Sequence, residues 1–272
     1  MPALPKLNVQ ELTSGGGVPI VLLHAFPFDH RMWVEAAAAL PAHVRALAID
    51  LPGQGFSELG TIPASMEMAA EAVYRTLKDA GVANAIVVGI SMGGYVALAL
   101  AERHPAFVSG LGLVDTKSTA DPPHVYDSRL QVAREMERES TLAPVLAMYS
   151  SLLGETSQRE RRHLLPTLDA WVHGQSPRCL AWAFRTIASR IDRTDVLTNF
   201  TEPVAVVVGA EDSLSPLSDS EHMAKAARDA TLTVIPGAGH LSPIENPLAV
   251  AAALTQLHRR VLRRAAPRSR PF

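Results

Sequence analysis

The chain has 272 residues, of which 47% are hydrophobic and 19% charged, with a formal net charge of −2. That length and composition suit a soluble globular fold with a sizeable core and room for an inserted subdomain. The charge supplies no basic field for nucleic acid or anionic lipid, so neither is expected as a partner. A single cysteine, Cys179, cannot form an intramolecular disulfide, and the start MPALPKLNVQELTSGGG lacks the apolar core of a signal peptide, so a cytoplasmic protein is expected. No apolar run has the length of a membrane span.

In chain order, Leu7 to Leu12 alternates apolar and polar residues, Ser14 to Gly17 turns, and Val18 to Leu23 is an apolar run. The pattern predicts two early strands joined by a tight connection. Arg31 to Leu40 reads as a helix. Val44 to Asp50 reads as a strand that runs into Leu51-Pro52-Gly53-Gln54-Gly55-Phe56-Ser57, a loop dense in turn residues. Ser65 to Gly81 is predicted as a helix capped by serine and closed by glycine. A strand from Ile86, a helix over Met92 to Glu102 that stops before Pro105, and an apolar run from Val108 to Asp115 follow. Such alternation implies an α/β fold, a mostly parallel sheet with helices on both faces.

After Asp115 the texture changes. Residues 117–199 hold no convincing strand but several charged segments with helical apolar spacing, which predicts an inserted helical cap. The core is then 1–116 with 200–272. Val132, Met136, Leu142, Leu146, Tyr149, Trp171, Trp182 and Phe184 are its inward candidates, and most are expected to form the cap's own core rather than a pocket roof. Strands resume at Val204–Val208 and Leu232–Ile235, with a helix between them and a last helix from about Pro247. The basic tail of Arg259, Arg260, Arg263, Arg264, Arg268 and Arg270 reads as a solvated helix end without function.

The chemistry concentrates in IVVGISMGGYVALAL, Ile86 to Leu100. A hydroxyl between two glycines, where a strand turns abruptly into a helix, is lifted from the sheet on a strained backbone, which makes Ser91 the candidate nucleophile. The helix behind it aims free N–H groups and a positive dipole end at any oxyanion formed there. A serine needs a base, and His240 in Gly237-Ala238-Gly239-His240 directly follows the last strand, on the strand-end edge that carries Ser91. His104, His163, His173, His222 and His258 lie in charged or helical surroundings and read as solvent-facing. Asp212, just past the Val204 strand, is the candidate acid that orients His240. Asp115 is its competitor at the preceding strand end, and adjacent Glu211 faces the other way. The chain order nucleophile, acid, base favours Asp212. The backbone amides of Met92 and Phe26 are the candidate oxyanion donors. His24 with Asp29 and His30 matches no common metal-ligand spacing, so no metal is expected. There is no GxxxxGK loop, and Gly53-Gln54-Gly55 does not extend to a dinucleotide fingerprint, so no cofactor is expected.

Four motifs in this order resemble the α/β-hydrolase superfamily over Val18 to about Leu257: His24-Ala25-Phe26-Pro27, similar to its oxyanion loop; Asp50-Leu51-Pro52-Gly53-Gln54-Gly55-Phe56-Ser57; the Ser91 turn; and Gly237-Ala238-Gly239-His240. One departure is Ala25, where the family usually has glycine after the oxyanion-loop histidine. Small capped members with such a turn look like carboxylesterases, enol-lactone hydrolases and cofactor-free perhydrolases. The resemblance implies a serine hydrolase of a small or medium carboxylic ester or lactone, acting through Ser91, Asp212 and His240. A carbon–carbon bond hydrolase or perhydrolase would use the same residues, and a small-molecule-binding protein on this fold is the non-enzymatic alternative.

Overall fold

The computed structural model describes residues 4–265. Seven strands form one sheet: β1 (Val9–Ser14), β2 (Gly16–Leu23), β3 (Val44–Ile49), β4 (Ala85–Ile90), β5 (Val108–Val114), β6 (Val204–Gly209) and β7 (Ala230–Ile235). Their spatial order is β1-β3-β2-β4-β5-β6-β7. Only β1 runs antiparallel to its neighbour; every other pair is parallel. All six residues of β4 and of β6 are buried, the continuous apolar pattern of strands covered on both faces.

The two early strands are joined tightly, as expected, but they are not neighbours in the sheet. β1 and β2 are separated by Gly15 alone, yet they do not pair, because β3 lies between them. A Cβ at Gly15 would collide with the backbone of His43 and Val44, so the chain crosses tightly over the start of β3 at that residue. The Arg31–Leu40 helix also divides, into a 3-10 turn over His30–Trp33 and α1 (Val34–Ala38). Asp29 causes the tighter first turn: its side chain accepts from Arg31 N at 3.1 Å and its carbonyl from Met32 N at 3.2 Å.

On one face α3 (Met92–Arg103) packs on β2, β4 and β5, with α2 (Met66–Asp79) against it. Ser65 caps α2, its hydroxyl accepting from Met68 N at 3.2 Å, and Gly81 leaves it at φ 76°. Between β5 and β6 run α4 (Pro123–Glu139), α5 (Ala143–Leu146), α6 (Glu155–Glu160), α7 (Leu164–His173), α8 (Pro177–Ala188) and α9 (Thr194–Asn199), with no strand among them. α4 and α8 pack together; Met136, Trp182 and Phe184 are buried. Val132, Leu142, Leu146, Tyr149 and Trp171 are half-buried against the same core. This segment docks on the sheet domain through Trp182, whose indole N–H donates to Ile62 O at 3.1 Å, and through the Phe26–Phe184 ring contact at 4.6 Å.

After β6 come α10 (Leu217–Ala226), α11 (Ser242–Glu245) and α12 (Pro247–Ala265), and α12 covers the second face of β5 and β6. The expected solvated tail is partly engaged. Arg260 donates to Val204 O at 2.8 Å and to Asp229 Oδ1 at 2.6 Å, and Arg264 meets Glu202 at 3.2 Å. Arg268 and Arg270 lie outside the described residues. No described helix is long and apolar enough to cross a membrane.

The loop after β3 is organised by Asp50. Its fully buried carboxylate accepts from His30 N and Nδ1, both at 2.8 Å, from Asn8 Nδ2 at 2.8 Å and from Phe56 N at 3.0 Å. Burial by itself raises this carboxyl, but the hydrogen bond from His30 and the backbone donors hold it well below the usual carboxylate range. Asp50→Ala strands these buried donors, and the expected cost is about 3 kcal/mol or more, read as a lowered midpoint in urea unfolding.

Candidate active site

Parallel pairing brings the C-terminal ends of β2, β4, β5, β6 and β7 to one edge of the sheet. Ser91 stands there between β4 and α3 with φ 50° and ψ −116°, a left-handed conformation that costs an L residue on the order of 1–3 kcal/mol. Its neighbours hold it there. Ser91 N donates to Val114 O at 3.0 Å, and its carbonyl accepts from Gly94 N at 2.9 Å and Thr116 Oγ1 at 2.8 Å. A Cβ on Gly93 would collide with the backbone of Leu23, so only glycine lets α3 lie this close to β2.

From this turn a chain of hydrogen bonds runs through three loops. Ser91 Oγ lies 2.8 Å from His240 Nε2, and His240 Nδ1 lies 2.8 Å from Asp212 Oδ2. The Asp212 side chain is fully buried, and its other oxygen accepts from Leu214 N at 2.8 Å and Ser215 N at 3.0 Å. Those amides fix the carboxylate so that it accepts the imidazole N–H. The competing carboxylates are placed elsewhere. Asp115 accepts from Gly209 N at 2.8 Å and Ser242 N at 3.0 Å, and Glu211 turns away to Thr156 N at 2.8 Å and Thr156 Oγ1 at 2.6 Å.

Phe26 N and Met92 N have no hydrogen-bond partner among the described residues. Both residues border the turn, Met92 as the first residue of α3 and Phe26 in the loop after β2, where Phe28 N donates to Ala25 O at 2.9 Å. Ala25 is fully buried, so the loop accommodates the methyl that replaces the usual glycine. A cavity of about 40 Å³ opens on Ser91 and His240 and is also lined by Phe26, Tyr95, Met148 and Leu152. Larger surface grooves, about 760 Å³ beside Met68 and about 600 Å³ beside Phe200, contain none of these residues.

Residues 18–247 match the family described as the alpha/beta hydrolase fold, a span that runs from β2 to the start of α12 and includes every strand end named above. The chain belongs to the α/β-hydrolase fold family. It is 30% identical over 261 residues to the 2-succinyl-6-hydroxy-2,4-cyclohexadiene-1-carboxylate synthase of Enterobacter sp. (strain 638), covering 93% of this chain and 96% of that protein. It is 29% identical over 244 residues to the pimeloyl-[acyl-carrier protein] methyl ester esterase of Aromatoleum aromaticum, covering 84% of this chain and 93% of that one. Among solved structures, a malate-bound thermophilic esterase from Thermogutta terrifontis matches with a TM-score of 0.89 and 32% identity over 94% of each chain. The chain spans 62% of the length of a further relative, the dihydrolipoyllysine-residue acetyltransferase component of the acetoin cleaving system of Pseudomonas putida, at 28% identity.

In this α/β-hydrolase several residues near Ser91 had no sequence signal strong enough to mark them. Glu245 is buried and accepts from Gly239 N at 2.9 Å, Leu241 N at 3.1 Å and Gly154 N at 2.9 Å, clamping the His240 loop to the segment before α6. Lys117 and Arg129 line the cavity, as do Met148, Leu152 and Ile187, none of them among the expected inward residues. His258, expected to face solvent, is buried on α12, 6.1 Å from the His43 ring, because the apolar face of α12 turns it toward the sheet. His104 hydrogen-bonds Glu71 at 2.9 Å and stacks on Tyr74.

Ligand atoms of Asp29, His30 and Asp50 lie within 4.8 Å of one another. Each is already engaged inside the protein: Asp29 with Arg31 at 2.7 Å and Gln175 at 3.0 Å, and His30 with Asp50. His24 stands outside the cluster; it accepts from Leu51 N at 2.9 Å, and burial holds its pKa low. These donors and acceptors satisfy one another as a brace beside the loop after β2, a pairing that suits structure better than metal binding.

Asp115 is the electrostatic outlier. Complete burial, with the nearby Asp212 carboxylate adding to it, pushes its pKa up to about 7. Because this folded value exceeds the unfolded one near 3.8, the folded state binds the extra proton between those limits. The stabilisation is full below the lower value and is lost as pH rises through the upper one. Asp115→Asn is expected to flatten the fall in unfolding free energy between about pH 4 and pH 7, measured by urea titration against the parent protein.

Proposed function

We propose that this chain hydrolyses small or medium carboxylic esters, lactones included, through an acyl-enzyme on Ser91. The observation that carries this reading is the strained Ser91 hydroxyl lying 2.8 Å from His240 Nε2 while Nδ1 is held by Asp212. Ser91 Oγ attacks the ester carbonyl carbon as its proton passes to His240 Nε2. Asp212 keeps the imidazole in the tautomer that accepts this proton and stabilises the imidazolium. The amides of Met92 and Phe26 donate to the oxyanion of the tetrahedral intermediate. As the intermediate collapses, the carbon–oxygen bond to the alcohol breaks and Nε2 returns the proton to the departing oxygen. Water then attacks the acyl carbon, giving its proton to Nε2. Cleavage of the bond to Oγ releases the acid and restores the Ser91 hydroxyl. A lactone follows the same course with its alcohol still tethered.

We assign residues 117–199 the role of a lid. Its Met148, Leu152 and Ile187 narrow the cavity over Ser91 to about 40 Å³, which fits a small acyl group and excludes bulk water. The esterases among its relatives support an ester substrate.

Brief exposure to a fluorophosphonate, followed by intact-protein mass spectrometry and peptide mapping, is expected to place one adduct on Ser91 and none on the Ser91→Ala protein. A folded protein without an adduct would refute an activated nucleophile and leave the binding-protein alternative. Ser91→Ala is expected to lower ester turnover by about four orders of magnitude or more. Asp212→Asn is expected to lower kcat by about 100-fold or more, and Asp115→Asn by far less. The reverse ranking in steady-state kinetics would move the acid role to Asp115.

A further inference from the structure

Besides His240, the cavity beside Ser91 is lined by two basic side chains, Lys117 and Arg129, and by no carboxylate among the described residues. A pocket meant for a neutral ester has no use for a half-buried cation, whose desolvation is a cost unless a partner compensates it. Each cation's existing partners decide which of them is uncompensated. Lys117 Nζ lies 3.5 Å from Asp219 Oδ2 and donates to Leu214 O at 3.3 Å, so its charge is matched. Among the described residues Arg129, on α4, donates only through Nε, to Asp121 Oδ2 at 2.8 Å.

Asp121 is already taken. Arg190 holds both of its oxygens at 2.7 and 2.6 Å, donates its Nε to Thr119 O at 3.1 Å, and lies 4.4 Å above the Tyr95 ring. One carboxylate thus faces two guanidinium groups, leaving a surplus positive charge. It falls to Arg129, whose two terminal nitrogens have no partner among the described residues and whose side chain is 20% exposed, at the cavity. Two parallel N–H donors on a planar group match a carboxylate, and exclusion of water strengthens the pairing.

We infer that Arg129 is a specificity residue that binds a carboxylate on the substrate, so that the preferred esters are half-esters of short dicarboxylic acids. The inference rests on the reading of Ser91 as the nucleophile of an ester hydrolase. Ser91 and Arg129 share one small cavity, which limits the spacing between the scissile carbonyl and the carboxylate to a few bonds. Arg129 can be removed without stranding a buried charge, because Asp121 keeps both contacts to Arg190.

The test compares monomethyl succinate with methyl 4-methylpentanoate, in which an isopropyl group replaces the carboxylate. The expected result is a higher kcat/KM for the charged ester, and a fall of about tenfold or more in the ratio of the two on Arg129→Gln, carried by KM. A binding measurement needs no turnover. Calorimetry of monomethyl succinate on the Ser91→Ala protein is expected to show Kd rising about tenfold when Arg129→Gln is added. A ratio and a Kd both unmoved by the substitution, or kcat/KM for the two esters falling in parallel, would overturn the inference and reduce Arg129 to a structural partner of Asp121. Arg129-dependent binding without hydrolysis of either ester would leave the carboxylate site standing and defeat the ester reading alone.

Discussion

The close approach of α3 to β2 and β4 is the constraint on which the rest of the site depends. Helix and strands meet backbone to backbone because Gly89 and Gly93 carry no side chain; a Cβ at either would strike main-chain atoms. That contact forces Ser91 into its left-handed conformation, and the conformation is over-determined by the hydrogen bonds from Ser91 N and to its carbonyl. Strain of this kind survives only where the surroundings are rigid, and here Ser91 follows β4, a fully buried strand paired on both sides. One result is a hydroxyl projecting from the sheet edge. A second is a helix start whose first amide has no internal partner.

Around that fixed point the other loops are held by buried carboxylates used as backbone acceptors. Asp115 joins the end of β6 to the start of α11 through Gly209 N and Ser242 N, and so ties together the loops that carry Asp212 and His240. Glu245 gathers Gly239, Leu241 and Gly154, and Asp50 gathers His30 and Phe56 at the loops after β2 and β3. A charged acceptor with several amide donors is stronger and more directional than a neutral contact, which suits loops that need placement to fractions of an ångström. The cost is visible at Asp115, where burial beside a second carboxylate pushes the pKa up to about 7.

Much of this was legible in the sequence. The strand, Gly89-Ile90-Ser91-Met92-Gly93 and the helix behind it are contiguous, so local geometry alone singles out Ser91. His240 and Asp212 were reached because each directly follows an apolar run, and parallel strands put such residues on one edge. The structure brings the three within hydrogen-bonding distance and turns Asp115 and Glu211 to other partners. The early strands were found but not their pairing, since nothing in Val9–Leu23 encodes that β3 will come between them. The apolar residues chosen for the helical segment are buried or half-buried, but Trp182 and Phe184 meet Ile62 and Phe26 outside it, and Met148, Leu152 and Ile187, which line the cavity, were not among them.

By itself, then, the sequence determined the order of strands and helices, the strained turn at Ser91 and the two loops that supply Asp212 and His240, because each is written in adjacent residues whose backbone preferences and apolar spacing are local. Only the tertiary structure decided what those elements face. The partners of Asp115, the clamp made by Glu245, the burial of His258 and the surplus charge on Arg129 all join residues far apart in the chain. Arg129, for example, is left with open donors because Arg190, in the loop between α8 and α9, occupies both oxygens of Asp121. Charge compensation of that kind depends on three-dimensional packing, and no local pattern of residues carries it.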